Sequence, residues 1–277
     1  MKQSMLFFAF LINFSLQAQY YYNDLLANRE TLQQHALMRK LRVKSLEVVI
    51  NNDRPATEKE ILLTQEFSMD GKKVVLYTNE APGSTNRTIM QYEGGKLIRS
   101  VAGNRRGDVS TTFSYAPTGR LQSIQSITRD TTLNIKQLET HTYFFRKDSL
   151  PENAYIVRDN TDTLEIIFKT DSLDLISEEI WMRGKKQVER YYFYYDNNRR
   201  LTDIVRFNKK AGQLLPDYLF TYDETDRLTK MIQVPRMGSR YVTSEYYYDE
   251  KGLKLTELIN SKDKQQSTRI TYRYTYW

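Results

Sequence analysis

His35 and His141 are the only two imidazoles in a 277-residue chain that contains no cysteine. A zinc centre draws on several His or Cys side chains at short spacings, and no such group can be assembled from these. A serine nucleophile needs a histidine base that a third residue orients, and no motif frames either histidine in that way. His35 falls in a helix-forming stretch and reads as a partly exposed helix residue. His141 sits between Thr140 and Thr142 and reads as a sheet-surface residue rather than a general base. Carboxylates are plentiful, but Asp196, Asp223 and Asp249 recur at equivalent turn positions, which local hydrogen bonding to the backbone explains. Asp159-Asn160-Thr161-Asp162 and Asp196-Asn197-Asn198 offer oxygens to calcium without the spaced acids and glycine of a calcium loop. The expectation is a non-enzymatic protein with no catalytic, cofactor-binding or metal-binding residues and no cofactor.

Tyrosine is the residue that stands out. Tyr20-Tyr21-Tyr22, Tyr191-Tyr192-Phe193-Tyr194-Tyr195 and Tyr246-Tyr247-Tyr248 place rings on both faces of any strand they form. Tyr191, Tyr192, Tyr194, Tyr246 and Tyr247 are therefore candidates for a surface that binds a protein or a glycan, since tyrosine joins a large apolar body to a polar tip. Cross-strand ladders that stiffen a sheet would use the same residues.

The elements that position these rings follow from periodicity. Asn28 to Leu41 places Leu32, Ala36, Leu37 and Leu41 at helical spacing among Gln33, Gln34, Arg39 and Lys40, with Asn23 or Asn28 available as a cap. From Val43 onward the pattern alternates, as in Ile270, Tyr272, Tyr274 and Tyr276 against Thr271, Arg273 and Thr275. One unit repeats: a strand ending in tyrosine, a polar turn, a basic residue and leucine. Its best copies are Tyr195-Asp196-Asn197-Asn198-Arg199-Arg200-Leu201 and Tyr222-Asp223-Glu224-Thr225-Asp226-Arg227-Leu228. Tyr115 to Leu121, Tyr92 to Leu97 and Tyr248-Asp249-Glu250-Lys251-Gly252 are variants, with weaker echoes at Phe67 to Val74, Phe168 to Leu175 and Phe207 to Leu214. Successive strong copies lie roughly 23 to 27 residues apart, which suits one hairpin with its return strand. Asp can hydrogen-bond loop amides, Gly or Asn supplies positive φ, and the aromatic packs across the hairpin on the leucine.

Met1 to Gln19 combines a basic start, a short apolar run and Ala18 before the expected cleavage point, as in a secretory signal peptide. Residues 20–45 would form an N-terminal segment with the helix, and residues 46–277 the hairpin-repeat domain. Export implies a periplasmic, outer-membrane-associated or secreted location. Without cysteine the chain is not a lipoprotein. The formal charge of +7 is spread among both signs, which speaks against a nucleic-acid-binding stripe. No later segment has the length of an apolar membrane helix.

The Tyr-Asp turns followed by Arg and Leu resemble the YD repeat of Rhs and teneurin-type proteins, over most of the chain after Phe67. The resemblance implies a winding antiparallel sheet in an exported setting. The chain departs from the toxin-delivering members in lacking an Asp-Pro-x-Gly motif and a distinct C-terminal domain, and the array is short for enclosing a passenger. The expected fold is all-β: an elongated, curved antiparallel sheet of repeated hairpins with one short N-terminal helix. The expected function is a binding or scaffold surface in the envelope, with an unidentified protein or glycan as partner. An outer-membrane β-barrel is the alternative, although Arg269, Thr271, Arg273 and Thr275 make one face of the last strand polar. A hydrolase acting on envelope polysaccharide ranks third, because no acid pair is singled out.

Overall fold

A computed structural model describes residues 20–51, 60–81, 84–104, 107–147, 149–208, 211–234, 241–261 and 267–277. The signal-peptide reading of residues 1–19 lies outside them.

The chain opens with helix α1 (Tyr22–Lys40) and continues with β1 (Val43–Asn51), β2 (Glu60–Phe67), β3 (Lys73–Ala81), β4 (Ser84–Glu93), β5 (Lys96–Asn104) and β6 (Gly107–Tyr115). Next come β7 (Leu121–Asp130), β8 (Ile135–Phe145), β9 (Pro151–Arg158), β10 (Asp162–Thr170), β11 (Ile176–Arg183) and β12 (Lys186–Tyr195). The last six are β13 (Leu201–Asn208), β14 (Gln213–Tyr222), β15 (Leu228–Gln233), β16 (Val242–Tyr248), β17 (Lys254–Ser261) and β18 (Ser267–Tyr276).

Every strand pairs antiparallel with its neighbours in sequence, and β1 also pairs with β18 from Val43↔Tyr276 to Asn51↔Arg269. The eighteen strands therefore form a closed barrel. This corrects the expectation of an elongated open sheet. The physical reason is edge satisfaction, since an open array exposes two rows of unpaired amides and carbonyls that closure removes.

The lumen is not empty. Along its length α1 meets strands on several sides: His35 stacks on Tyr92 of β4 and Asn28 donates to Tyr115 Oη of β6, while Tyr20, just before the helix, packs on Tyr191 and Tyr218 of β12 and β14. Only a helix inside the ring can touch so many walls. Its flanking apolar residues join two cores, one with Leu46, Val48, Leu63, Val74 and Met90, the other with Tyr143, Ile156, Ile166, Tyr191, Phe193 and Ile204. At 19 residues, or about 28 Å, the helix can reach across most of the barrel. An eighteen-stranded ring would otherwise leave a wide channel.

Among the described residues six turns share one geometry, beginning at Ala116, Arg146, Asp171, Asp196, Asp223 and Asp249. In each, the first residue donates its amide to the carbonyl four residues on and accepts from the amide three residues on. The fourth position is left-handed, at Gly119 (φ 87), Ser149 (φ 83), Asp174 (φ 60), Arg199 (φ 65), Asp226 (φ 63) and Gly252 (φ 83). The turn at Arg146 belongs to the set although its sequence had not suggested it. The Phe207 echo differs: it follows β13 and lies on the opposite rim.

The tyrosine near the end of a strand at this rim has a defined task. Tyr115, Tyr195, Tyr222, Tyr248 and Tyr274 donate to the carbonyls of Leu97, Ile176, Leu201, Leu228 and Lys254, at 2.8 to 2.9 Å. Each ring thus ties its strand to the start of the strand after the preceding turn. Basic residues add a second tie: Arg200 sits over Tyr222 and Arg227 over Tyr248, while each pairs with its own turn aspartate. The recurrent spacing in sequence is the footprint of this rim.

Outward positions are mixed in character. Lys169, Glu178 and Arg190 form a cross-strand ion-pair chain, Lys230 pairs with Glu245, and Arg129 with Asp108. The outer face also carries apolar partners: Val75, Ile89 and Val101 are successive on β3, β4 and β5, and Ile127 pairs with Leu138.

Candidate functional site

The greatest concentration of buried chemistry lies where the N-terminus of α1 meets β8 to β11. The helix has no side-chain cap of its own, and its first amides would be orphaned inside the barrel. Glu179 of β11, fully buried, supplies the acceptor. Its Oε1 takes the Tyr21 amide at 2.6 Å and its Oε2 the Tyr22 amide at 2.7 Å. The Trp181 indole N–H also donates to Oε1, at 2.6 Å. Burial pushes the Glu179 carboxyl up to about 7, against the opposing pull of those three donors. The caps suggested at Asn23 or Asn28 are replaced by this strand carboxylate, and the helix starts earlier than Asn28, at Tyr22.

One turn further, His141 of β8 lies between two carboxylates. Its Nδ1 meets Asp24 Oδ2 at 2.6 Å and its Nε2 meets Glu139 Oε1 at 2.8 Å. Tyr143 Oη donates to the same Asp24 oxygen, and Arg158 Nε donates to Glu139. Arg158 also reaches Tyr21 Oη at 3.3 Å. Burial works against charge on His141, but Asp24 and Glu139 outweigh it and raise the imidazole to about 9. The imidazolium then has an acceptor on each ring nitrogen, and two cations match two anions across Asp24, Glu139, His141 and Arg158. The reading of His141 as a sheet-surface residue is corrected: it is 7 % exposed and faces the lumen. His35, expected to be partly exposed, is also buried, because the polar side of α1 meets a wall as well.

This cluster is arranged to hold the helix. A protonated histidine with both nitrogens engaged is a poor proton acceptor, so the geometry describes a clamp rather than a general base. Among the described residues no group of three or more His, Cys, Asp or Glu side chains is placed to hold a metal ion.

The tyrosines proposed as one binding surface divide between the two faces. Tyr191 and Tyr246 are buried in the lumen, Tyr191 against Tyr20 and Trp181, and Tyr246 beneath Lys254 Nζ at 4.1 Å. Tyr192, Tyr194 and Tyr247 point outward, and Tyr194 and Tyr247 are about half exposed. The turn residues Tyr195, Asp196, Tyr222, Asp223, Tyr248, Asp249 and Gly252 lie together on one rim as structural ties. Sequence reasoning missed Asp24, Glu139, Arg158 and Glu179. A usable signal existed: the aromatic before each turn faces inward, so stepping back by two from Phe145 assigns Tyr143, His141 and Glu139 to the lumen.

No family model matches the sequence, and no curated protein matches it. Among solved structures, the chain is similar to a porin-like protein from Bacteroides uniformis, at 10 % identity over 84 % of this chain and 98 % of that one, with a TM-score of 0.41. A porin-like protein from Bacteroides vulgatus gives 14 % identity over 85 % and 99 %, with a TM-score of 0.33. The Photorhabdus luminescens Tc holotoxin pore gives 12 % identity over 82 % of this chain but 16 % of that one, with a TM-score of 0.32. At that similarity they say nothing of what this chain does, and no family membership is established.

Proposed function

We propose that this protein is a non-enzymatic barrel of the cell envelope whose lumen is plugged by its own N-terminal helix. The observation that carries the reading is the clamp on α1: Glu179 at the helix N-terminus and the Asp24–His141–Glu139–Arg158 cluster beside it, all facing inward. Such a plug occupies the lumen, which supports the outer wall and the rims as the surfaces that meet partners. Tyr194 and Tyr247, outward and half exposed, are the candidate contacts for a protein or a glycan. The repeated Tyr-Asp turns support describing the barrel as a short array of the YD type, closed around its own helix.

Two placements of the barrel follow. Closure is what the outer-membrane alternative requires, and the apolar partners Val75, Ile89 and Val101 favour it. The cross-strand charges around Glu178, Glu245 and Asp108 favour an aqueous setting, since a lipid-facing band is apolar over about 25 Å. The experiment is fractionation of expressing cells followed by carbonate and urea washes of the membranes. Release into the wash supports the water-facing barrel; retention until detergent is added, with a heat-dependent shift in gel mobility, supports the outer-membrane barrel.

A further inference from the structure

Beneath the middle of α1, between the helix and strands β2 and β4, lies a cavity of about 60 Å³. It is larger than one water needs and suits a small ion with its ligands. Its wall includes Glu30, His35 and Met38 of α1, Gln65 of β2, and Met90 and Tyr92 of β4. His35 is 4 % exposed, and its Nε2 has no hydrogen-bond partner. The ring lies flat on Tyr92, with centroids 3.7 Å apart and planes within 5°. It hydrogen-bonds to the Gly71 backbone. With Nε2 unpartnered, that bond uses Nδ1–H donating to the carbonyl, which fixes the tautomer and leaves the Nε2 lone pair at the cavity wall.

A buried lone pair with nothing to accept from is costly. A histidine oriented by a backbone carbonyl through its other nitrogen is also the arrangement metal-ligating histidines adopt. Two thioethers share the wall, Met38 three residues along the helix and Met90, whose sulfur lies 3.9 Å from Tyr92 Oη. Neutral imidazole with two thioethers is a soft donor subset of this wall and suits Cu(I), while the Glu30 carboxyl and the Gln34 and Gln65 amides beside it are hard donors. We propose that this cavity is a binding site for a monovalent soft metal ion, Cu(I), with His35 Nε2 and the sulfurs of Met38 and Met90 as its ligands. Binding is a simple coordination with no electron transfer, and it rests on the helix lying in the lumen as read above.

The test uses Ag(I), a redox-silent ion of the same charge and preference, titrated into full-length protein labelled with ¹³C at the methionine methyls. One equivalent is expected to shift the Met38 and Met90 methyl signals and to leave exposed Met69 unmoved. His35→Phe, which keeps the stack on Tyr92, should weaken Ag(I) binding at least tenfold. Met38→Leu and Met90→Leu change shape little and should each weaken it by a similar factor; they decide the matter if the His35 variant fails to fold. Cu(I) supplied from its bicinchoninate complex should be taken up by the native protein and not by the double Met variant. Native affinity in all three variants, or shifts at Met69 in place of Met38 and Met90, would overturn the proposal.

Discussion

Removing the Glu179 carboxylate is the sharpest perturbation of the clamp. Glu179→Ala leaves the Tyr21 amide, the Tyr22 amide and the Trp181 indole without an acceptor in a fully buried place. Each stranded donor costs about 1 to 3 kcal/mol. Two effects pull the total toward the low end. The shortened side chain admits water, and the carboxyl it removes was itself raised to about 7 by burial. The expected loss is therefore about 3 kcal/mol, near one per donor. Trp181 packs 5.0 Å from Tyr21, so its fluorescence reports helix seating, and Trp277→Phe leaves it as the single indole. Urea unfolding followed by that fluorescence and by far-ultraviolet dichroism should show both transitions moved to lower denaturant. A loss under about 1 kcal/mol with the Trp181 signal unchanged would refute the claim that Glu179 holds the helix.

Through Glu179 and His141, stability should fall as pH rises. Glu179 is raised from 4.5 to about 7, so its contribution is complete below 4.5 and lost as pH climbs through 7; His141, raised from 6.5 to about 9, contributes fully below 6.5 and loses this through 9. Thermal melts from pH 5 to 10 should fall steadily, and Glu179→Gln should flatten the limb up to pH 7. Tyr222→Phe removes the bond to the Leu201 carbonyl and should cost about 1 kcal/mol by urea denaturation. Asp223→Ala strips the acceptor from the Thr225 and Arg227 amides and should lower the unfolding midpoint while leaving the far turn at Ala116 protected in hydrogen exchange. Ile127→Lys on the outer wall should alter stability by less than about 1 kcal/mol if that wall meets water, against about 2 to 4 kcal/mol in lipid.

The sequence carried the strands and the rim better than the shape. The Tyr195 and Tyr222 units foretold turns whose donors and acceptors recur residue for residue, because a turn is fixed by contacts within a few positions. Closure depended on β1 meeting β18, a pairing between segments more than two hundred residues apart that leaves no local mark. The clamp was hidden for the same reason. Glu179 and His141 look ordinary until the helix is placed inside the ring, where a cap and a pair of counter-charges must come from distant strands. The Tyr191 and Tyr246 runs are two-faced strands, and only the three-dimensional ring decides that Tyr191 and Tyr246 are core while Tyr194 and Tyr247 face out. Tyr20-Tyr21-Tyr22, read as a strand run, instead leads into α1 and is packed inside.

The most direct test of the closed barrel uses its lack of native cysteine. Glu47 of β1 and Arg273 of β18 are register partners across the closing seam. Glu47→Cys with Arg273→Cys, treated with a short bismaleimide at low protein concentration, should give an internally linked monomer of faster gel mobility in high yield. Dimers linked between molecules, or two thiols left unlinked, would mean that the sheet is open and the account of the lumen wrong.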